Sequence, residues 1–180
     1  YFQKTTQPSS PTKNSLKKTV FTSVNNYYLE NSYGQTGFVG DVLGWYQMPV
    51  DTTCDSKVVL LEAIKIADPD VFFPNYSRLV IVAPMQGTGC GWSGFGSIGK
   101  LSRQTADGTA VMSVSWIKPG SSNTRVIGHE LGHNLGLHHA TFLSCGSVTI
   151  TANAPTGCSV KEYSDRYDIM GSALAHMNAG

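Results

Sequence analysis

His129-Glu130-Leu131-Gly132-His133-Asn134-Leu135-Gly136-Leu137-His138-His139 decides the reading of this chain, because it fits H-E-x-x-H-x-x-G-x-x-H at every fixed position. On an α-helix, His129 and His133 stand one turn apart on one face, so both imidazoles can reach a single metal ion. Glu130 sits on the adjoining edge of that face, where a carboxylate can act on a water at the metal without being a ligand. Gly136 has no Cβ and can adopt the left-handed conformation that ends the helix and turns the chain away. The turn brings back a third ligand, and the spacing selects His139 over His138. Three neutral imidazoles leave one position open on Zn2+, as a catalytic rather than a structural site requires. The competing reading is an amphipathic helix that happens to hold histidines. Against it, four of the chain's five histidines lie in this segment and only His176 lies outside.

A second stretch, Tyr163-Ser164-Asp165-Arg166-Tyr167-Asp168-Ile169-Met170-Gly171, follows at a telling distance. With both stretches the chain resembles the metzincin clan of zinc endopeptidases, in which a methionine about thirty residues beyond the long motif lies in a turn beneath the histidines. That resemblance implies Met170 as the structural Met-turn residue, one catalytic Zn2+ held by His129, His133 and His139, and Glu130 as general base. The wording around Gly128 to Leu137, with Tyr-Ser-Asp and Asp-Ile-Met-Gly, is most similar to the gametolysin-like peptidases. Adamalysin-type enzymes share much of the helix wording. Astacin- and serralysin-type members carry a tyrosine two residues after the Met-turn methionine, whereas this chain has Ser172, so no tyrosine switch is expected. Tyr163 and Tyr167 stand at the wrong offset, and structural roles are expected of both.

The fold that the resemblance implies is an α/β (α+β) metzincin-like one. It has a twisted, mostly parallel sheet with an antiparallel edge strand, two or three helices, and a small loop-rich C-terminal subdomain. Residues 1–15 read as a tag remnant and flexible leader, with Tyr1-Phe2-Gln3 like the end of a cleavable tag. Residues 16–180 form the single catalytic domain, divided into an N-terminal subdomain 16–136 and a C-terminal subdomain 137–180. Clan members continue into a C-terminal helix, of which Ala173 to Ala179 would be the beginning, so truncation near Gly180 is expected.

Local patterns fill in the elements. Leu16 to Val24 mixes Thr, Val and Phe and reads as a strand. From about Thr53 to Ala67, Val58, Leu61, Ile64 and Ile66 recur at near-helical spacing before Asp68-Pro69, which reads as a helix packed on the sheet. Arg78 to Ala83 reads as a short buried strand, and Ala110 to Ile117, alternating apolar and small polar residues, as another. Ser121, Ser122 or Asn123 caps the metal helix, placed at 124–136. Residues 140–162 read as loop.

The Gly-rich run from Gly87 to Lys100 lacks the Gly-Lys-Ser/Thr ending of a phosphate loop. The resemblance instead makes Gly94 to Leu101 the edge strand along which an extended protein or peptide substrate lies, its backbone pairing with unpaired N–H and C=O groups. An ordinary surface loop is the alternative.

Composition sets the outer limits. The 180 residues are 41% hydrophobic, enough for a real core, and suit one domain. Charged residues are 14% of the chain, against a usual figure of about 25%, a balance that looks secreted and extracellular. A net charge of +1 gives no sign of a nucleic-acid surface. No apolar run approaches the ~18 residues of a membrane span, and no signal-peptide pattern opens the chain, which reads as a mature or trimmed product. Cys54, Cys90, Cys145 and Cys158 lack C-x-x-C spacing, so a cysteine zinc site is not expected. Sequence allows three pairings, of which Cys145–Cys158 with Cys54–Cys90 is favoured over four free thiols. Asp165 and Asp168 are able to bind Ca2+, but aspartates at a turn are more often caps, and calcium has no further support. A monomer is the default.

The sequence thus predicts a secreted zinc metalloendopeptidase that cleaves peptide bonds in extended protein substrates. The resemblance further implies that residues flanking the Met-turn, Ser172, Ala173 and Leu174, together with the 140–162 loop, shape its specificity, though their mixed small and apolar character defines no preferred side chain. Two other readings keep the fold: an inactive metzincin-like adhesion or binding module, and a zinc amidase acting on a non-protein substrate. The intact Glu130 and ligand set speak against the first.

Overall fold

The computed structural model describes residues 1–145 and 158–177, and the chain divides into two compact units, Tyr1–Gly136 and Leu137–Gly180. In the first unit, four strands build one mixed sheet around the long strand β4 (Gly108–Ile117). On one side β1 (Arg78–Val82) runs parallel to it, pairing Arg78 with Ser113 through Val82 with Ile117. On the other side β2 (Gly94–Gly96) and β3 (Leu101–Thr105) run antiparallel, from Gly94↔Ile117 to Thr105↔Gly108. The edge is therefore antiparallel; within this sheet one pairing, β1 with β4, is parallel and two are antiparallel, so the sheet is mixed where a mostly parallel one was expected.

The edge strand expected over Gly94 to Leu101 is interrupted. Between Gly96↔Ser115 and Leu101↔Met112 the edge advances five residues against three on β4, so residues 97–100 bulge outward. Ser97 anchors the bulge: its N–H donates to Val114 O at 2.8 Å, and its hydroxyl accepts Val114 N–H at 3.0 Å.

The ten residues of β4 are buried on both faces for most of their length. Ala110, Met112, Val114 and Trp116 face a core that includes Val59, Leu60 and Ile64 of α3 (Ser56–Ala67), with Ile81, Ala83 and Met85. Each fully buried aliphatic side chain there contributes about 1.5–3 kcal/mol. Asp55 starts α3 by accepting the N–H groups of Lys57 and Val58 at 2.9 and 3.1 Å, and Asp68-Pro69 follows its end. Ser113 and Ser115, the small polar residues of the alternation, are just as buried, at 1% and 0% exposure. Ser115 faces the metal helix α4 (Thr124–Asn134), not water.

Two expectations for the N-terminal region are corrected. Leu16 to Val24 is helical, not a strand: α1 (Lys13–Lys18) continues through a π-helical segment (Thr19–Val24) into α2 (Asn25–Asn31). The reason is the spacing of four: Leu16, Val24 and Tyr28 are buried and Val20 is half-buried, a helical stripe that outweighs the β propensity of Thr, Val and Phe. Nor are residues 1–15 a loose leader. Phe2 is fully buried in the main core, Gln3 N–H donates to Val50 O at 3.2 Å, and α1 begins at Lys13 with Thr12 as its cap.

The second unit was expected to be loop through residue 162, yet it contains a hairpin of β5 (Thr141–Ser144) and β6 (Ser159–Glu162), paired from Thr141↔Glu162 to Ser144↔Ser159. Cys145–Cys158 links the strands just beyond the last pair, and Cys54–Cys90 joins the segment before α3 to the loop before β2 in the first unit. Residues 146–157 of the expected 140–162 specificity loop lie outside the described residues, as do residues 178–180. Ala173 through Ala175 form bends and His176 and Met177 are irregular, with no helix among these described residues.

Candidate metal centre

Helix α4 is specified at both ends. Asn123 caps its start, its Oδ1 accepting Val126 N–H at 3.1 Å. At the other end Gly136 has φ +101°, a conformation open to glycine, and its N–H donates to His133 O at 2.9 Å. Between these ends His129 and His133 present their rings edge to face, with centroids 4.8 Å apart, at 8% and 7% exposure.

Glu130 is buried as well, and burial pushes its carboxyl up to about 7, while a hydrogen bond from the Gly96 backbone pulls the other way. This contact depends on how closely β2 approaches the helix. A Cβ on Gly94 would lie 2.7 Å from Glu130 Cγ, and one on Gly96 would lie 2.7 Å from Glu130 O and 3.0 Å from His133 Cβ. Gly94 and Gly96 pair with Ile117 and Ser115, and the two glycines leave room for the helix to approach the strand. The Gly-rich run thus has a packing role beneath the metal helix.

A buried asparagine, which the motif does not specify, locks the helix to the sheet. Asn134 Nδ2 donates to Ser97 O at 2.9 Å and Val114 O at 3.1 Å, and its Oδ1 accepts the Ser115 hydroxyl at 3.0 Å. The only hint in the sequence is a polar residue of poor helix propensity directly after His133. From the other side Tyr28 donates its hydroxyl to Gly128 O at 2.6 Å, a link across 100 residues of sequence.

In the second unit His138 is exposed and His139 is half-buried. His139 Nδ1 lies 2.5 Å from Glu162 Oε1, and its ring centroid lies 3.6 Å from that of Tyr163. Tyr163 therefore packs on a motif histidine, while Tyr167 is 76% exposed. Ala140 N–H donates to Met170 O at 2.9 Å, which ties the residue after His139 to Met170. Met170 is buried, and the Asp168 carboxylate accepts its N–H at 2.7 Å. Asp165 accepts Tyr167 N–H at 2.7 Å through its carboxylate and Ser172 N–H at 2.7 Å through its carbonyl. Both aspartates thus serve as local turn caps.

His129, His133 and His139 form a set able to hold a metal ion, and three imidazoles are a donor set suited to Zn2+. With a mixed sheet, a capped helix bearing two of the histidines and two disulfides, the fold and this set define a metzincin-like zinc metallopeptidase. The family model described as Metallo-peptidase family M12B Reprolysin-like matches residues 76–174, from just before β1 to beyond Met170, and the chain belongs to that family. No curated protein and no solved structure matches the chain. No helix among the described residues is long and apolar enough to cross a membrane.

Proposed function

We propose that this chain is a secreted endopeptidase that hydrolyses peptide bonds in extended protein substrates, with His129, His133 and His139 holding one zinc and Glu130 acting as general base. The observation that carries this reading is the placement of Glu130: buried on α4 between two ligand histidines, with its carboxylate fixed by Gly96. When bound, Zn2+ supplies Lewis acidity that polarises the scissile carbonyl and lowers the pKa of the attacking water. One Glu130 carboxylate oxygen accepts the proton from that water and delivers it to the leaving amine. The backbone hydrogen bond from Gly96 keeps the carboxylate in one orientation through both transfers. Gly136 turns the chain after the helix so that His139, three residues on, completes the ligand set. Met170 is assigned the apolar floor beneath the set.

Substrate is assigned to the antiparallel edge formed by β2 and β3, where backbone groups facing away from β4 are available to an extended chain. The bulge at 97–100 restricts this pairing to two short runs. Ser172, Ala173 and Leu174 are assigned to the specificity pocket. The catalytic role is assigned to both units, and the expected start of the domain at residue 16 moves back to include the N-terminal segment, since Phe2 belongs to the main core. Two disulfides support an oxidising, extracellular setting. The gametolysin-like subtype rests on the Tyr-Ser-Asp and Asp-Ile-Met-Gly wording alone.

The test is a substrate panel of casein, gelatin, short peptides and peptidoglycan, run before and after metal removal by a chelator and again after Zn2+ is restored. Chelator-sensitive, zinc-restored cleavage of casein and gelatin is the expected result. Cleavage of peptidoglycan alone would replace the reading with a zinc amidase, and no hydrolysis of any substrate would replace it with a binding module.

A further inference from the structure

A carboxylate that belongs to neither sequence motif stands beside the third histidine. Glu162 Oε1 lies 2.5 Å from His139 Nδ1, with the side chains 65% and 21% exposed respectively. Backbone structure holds both partners. Glu162 is the last residue of β6 and pairs directly with Thr141, two residues after His139. The Cys145–Cys158 link closes the same hairpin beyond its last pair. Ala140, between His139 and Thr141, is tied to Met170 O, and the Tyr163 ring lies against the imidazole. A one-residue slip in the hairpin would turn Glu162 to the opposite face and remove the contact.

An ionised carboxylate only accepts hydrogen bonds, so at this distance the hydrogen belongs to His139 Nδ1, and the ring's lone pair is on Nε2. We propose that Glu162 is a positioning residue for His139: it holds the imidazole in the Nδ1–H tautomer and in one ring orientation, so that Nε2 is presented to a divalent metal. The proposal rests on the assignment of His139 as a zinc ligand made above. Without the carboxylate, the neutral ring redistributes toward the Nε2–H tautomer, which must give up its hydrogen position before Nε2 can ligate. Removing such a partner typically weakens metal binding by about 10–100-fold. The exposure of Glu162 places this case near the lower end, since solvent screens the pair.

The experiment uses the whole chain and its Glu162→Ala, Glu162→Gln and His139→Ala forms. Zinc affinity is measured by competition with a chromophoric chelator, and the His139 ring tautomer is read from 15N chemical shifts of the metal-free protein. The parent chain is expected to show Nδ1–H at His139. Glu162→Ala should move that signal toward Nε2–H and weaken zinc binding about tenfold. Glu162→Gln, whose amide oxygen still accepts from Nδ1, should keep most of the tautomer and lose about threefold. A Glu162→Ala chain with the parent tautomer, or with zinc affinity within about twofold of the parent, overturns the positioning role. His139→Ala separates the two levels. Zinc affinity equal to the parent's would remove His139 from the ligand set and take the proposed function with it, whereas weakened binding in His139→Ala with none in Glu162→Ala overturns this inference alone.

Discussion

Replacing Asn134 tests whether the metal helix is held to the sheet by one buried amide. Asn134 is 5% exposed and makes three hydrogen bonds, to Ser97 O, Val114 O and the Ser115 hydroxyl. Each such bond is worth about 0.5–1.5 kcal/mol net, so Asn134→Ala forfeits about 3 kcal/mol. Val114 O keeps its bond from Ser97 N–H, and the better helix propensity of alanine offsets about 0.5 kcal/mol. The net loss of about 2.5 kcal/mol corresponds to a Tm fall of roughly 5–10 °C in a chain of this size. Asn134→Asp keeps the shape and the acceptor for Ser115 but turns carboxylate oxygens toward two carbonyl oxygens. It leaves a buried charge unpaired, a fault that costs about 3–5 kcal/mol, so aspartate should be worse than alanine. Thermal unfolding followed by circular dichroism in excess chelator, so that metal binding does not mask the change, measures both. An Asn134→Ala loss below about 1 kcal/mol, or an aspartate variant as stable as the alanine one, would refute the reasoning.

Three further outcomes follow from the packing. Gly96→Ala should cost about 1–3 kcal/mol and reduce hydrolysis sharply, because its Cβ would meet the helix backbone at Glu130 2.7 Å away; Gly120→Ala, with nothing within 4 Å, is the near-neutral control in parallel unfolding and casein assays. Replacing both Cys54 and Cys90 by alanine should lower stability by about 4 kcal/mol, since the bridge closes a separation of 36 residues; an unchanged denaturant midpoint would contradict it. Tyr28→Phe should cost about 1 kcal/mol through the lost bond to Gly128 O, and chemical denaturation that shows no loss would remove the link between the N-terminal helix and α4.

What could be read from the sequence was what depends on local chemistry. Asn123 and Gly136 bracket α4 because a cap and a left-handed turn each leave a residue-type signature. Helix α3, strand β1 and strand β4 follow from hydrophobic period, and both disulfides pair as favoured. What escaped depends on tertiary context. Leu16 to Val24 has the residue types of a strand, and its stripe of every fourth residue gains meaning only against the partner it packs on. Phe2 resembles part of a dispensable leader until the core that buries it is known. Ser113 and Ser115 look solvent-facing in an alternating strand, yet both are buried, and the Ser115 hydroxyl lies against Glu130 and Asn134 of α4. Glu162 is an unremarkable strand-end residue until the hairpin register sets it beside His139.

Glu130 is proposed to perform the proton transfers at a zinc held by the three histidines. Metal analysis together with casein hydrolysis, on the parent chain and on Glu130→Ala, tests it most directly. One zinc per chain is expected in both forms, with a fall in turnover of at least about a hundredfold in the variant, the scale of a lost general base. Undiminished turnover by a zinc-loaded Glu130→Ala chain would contradict it.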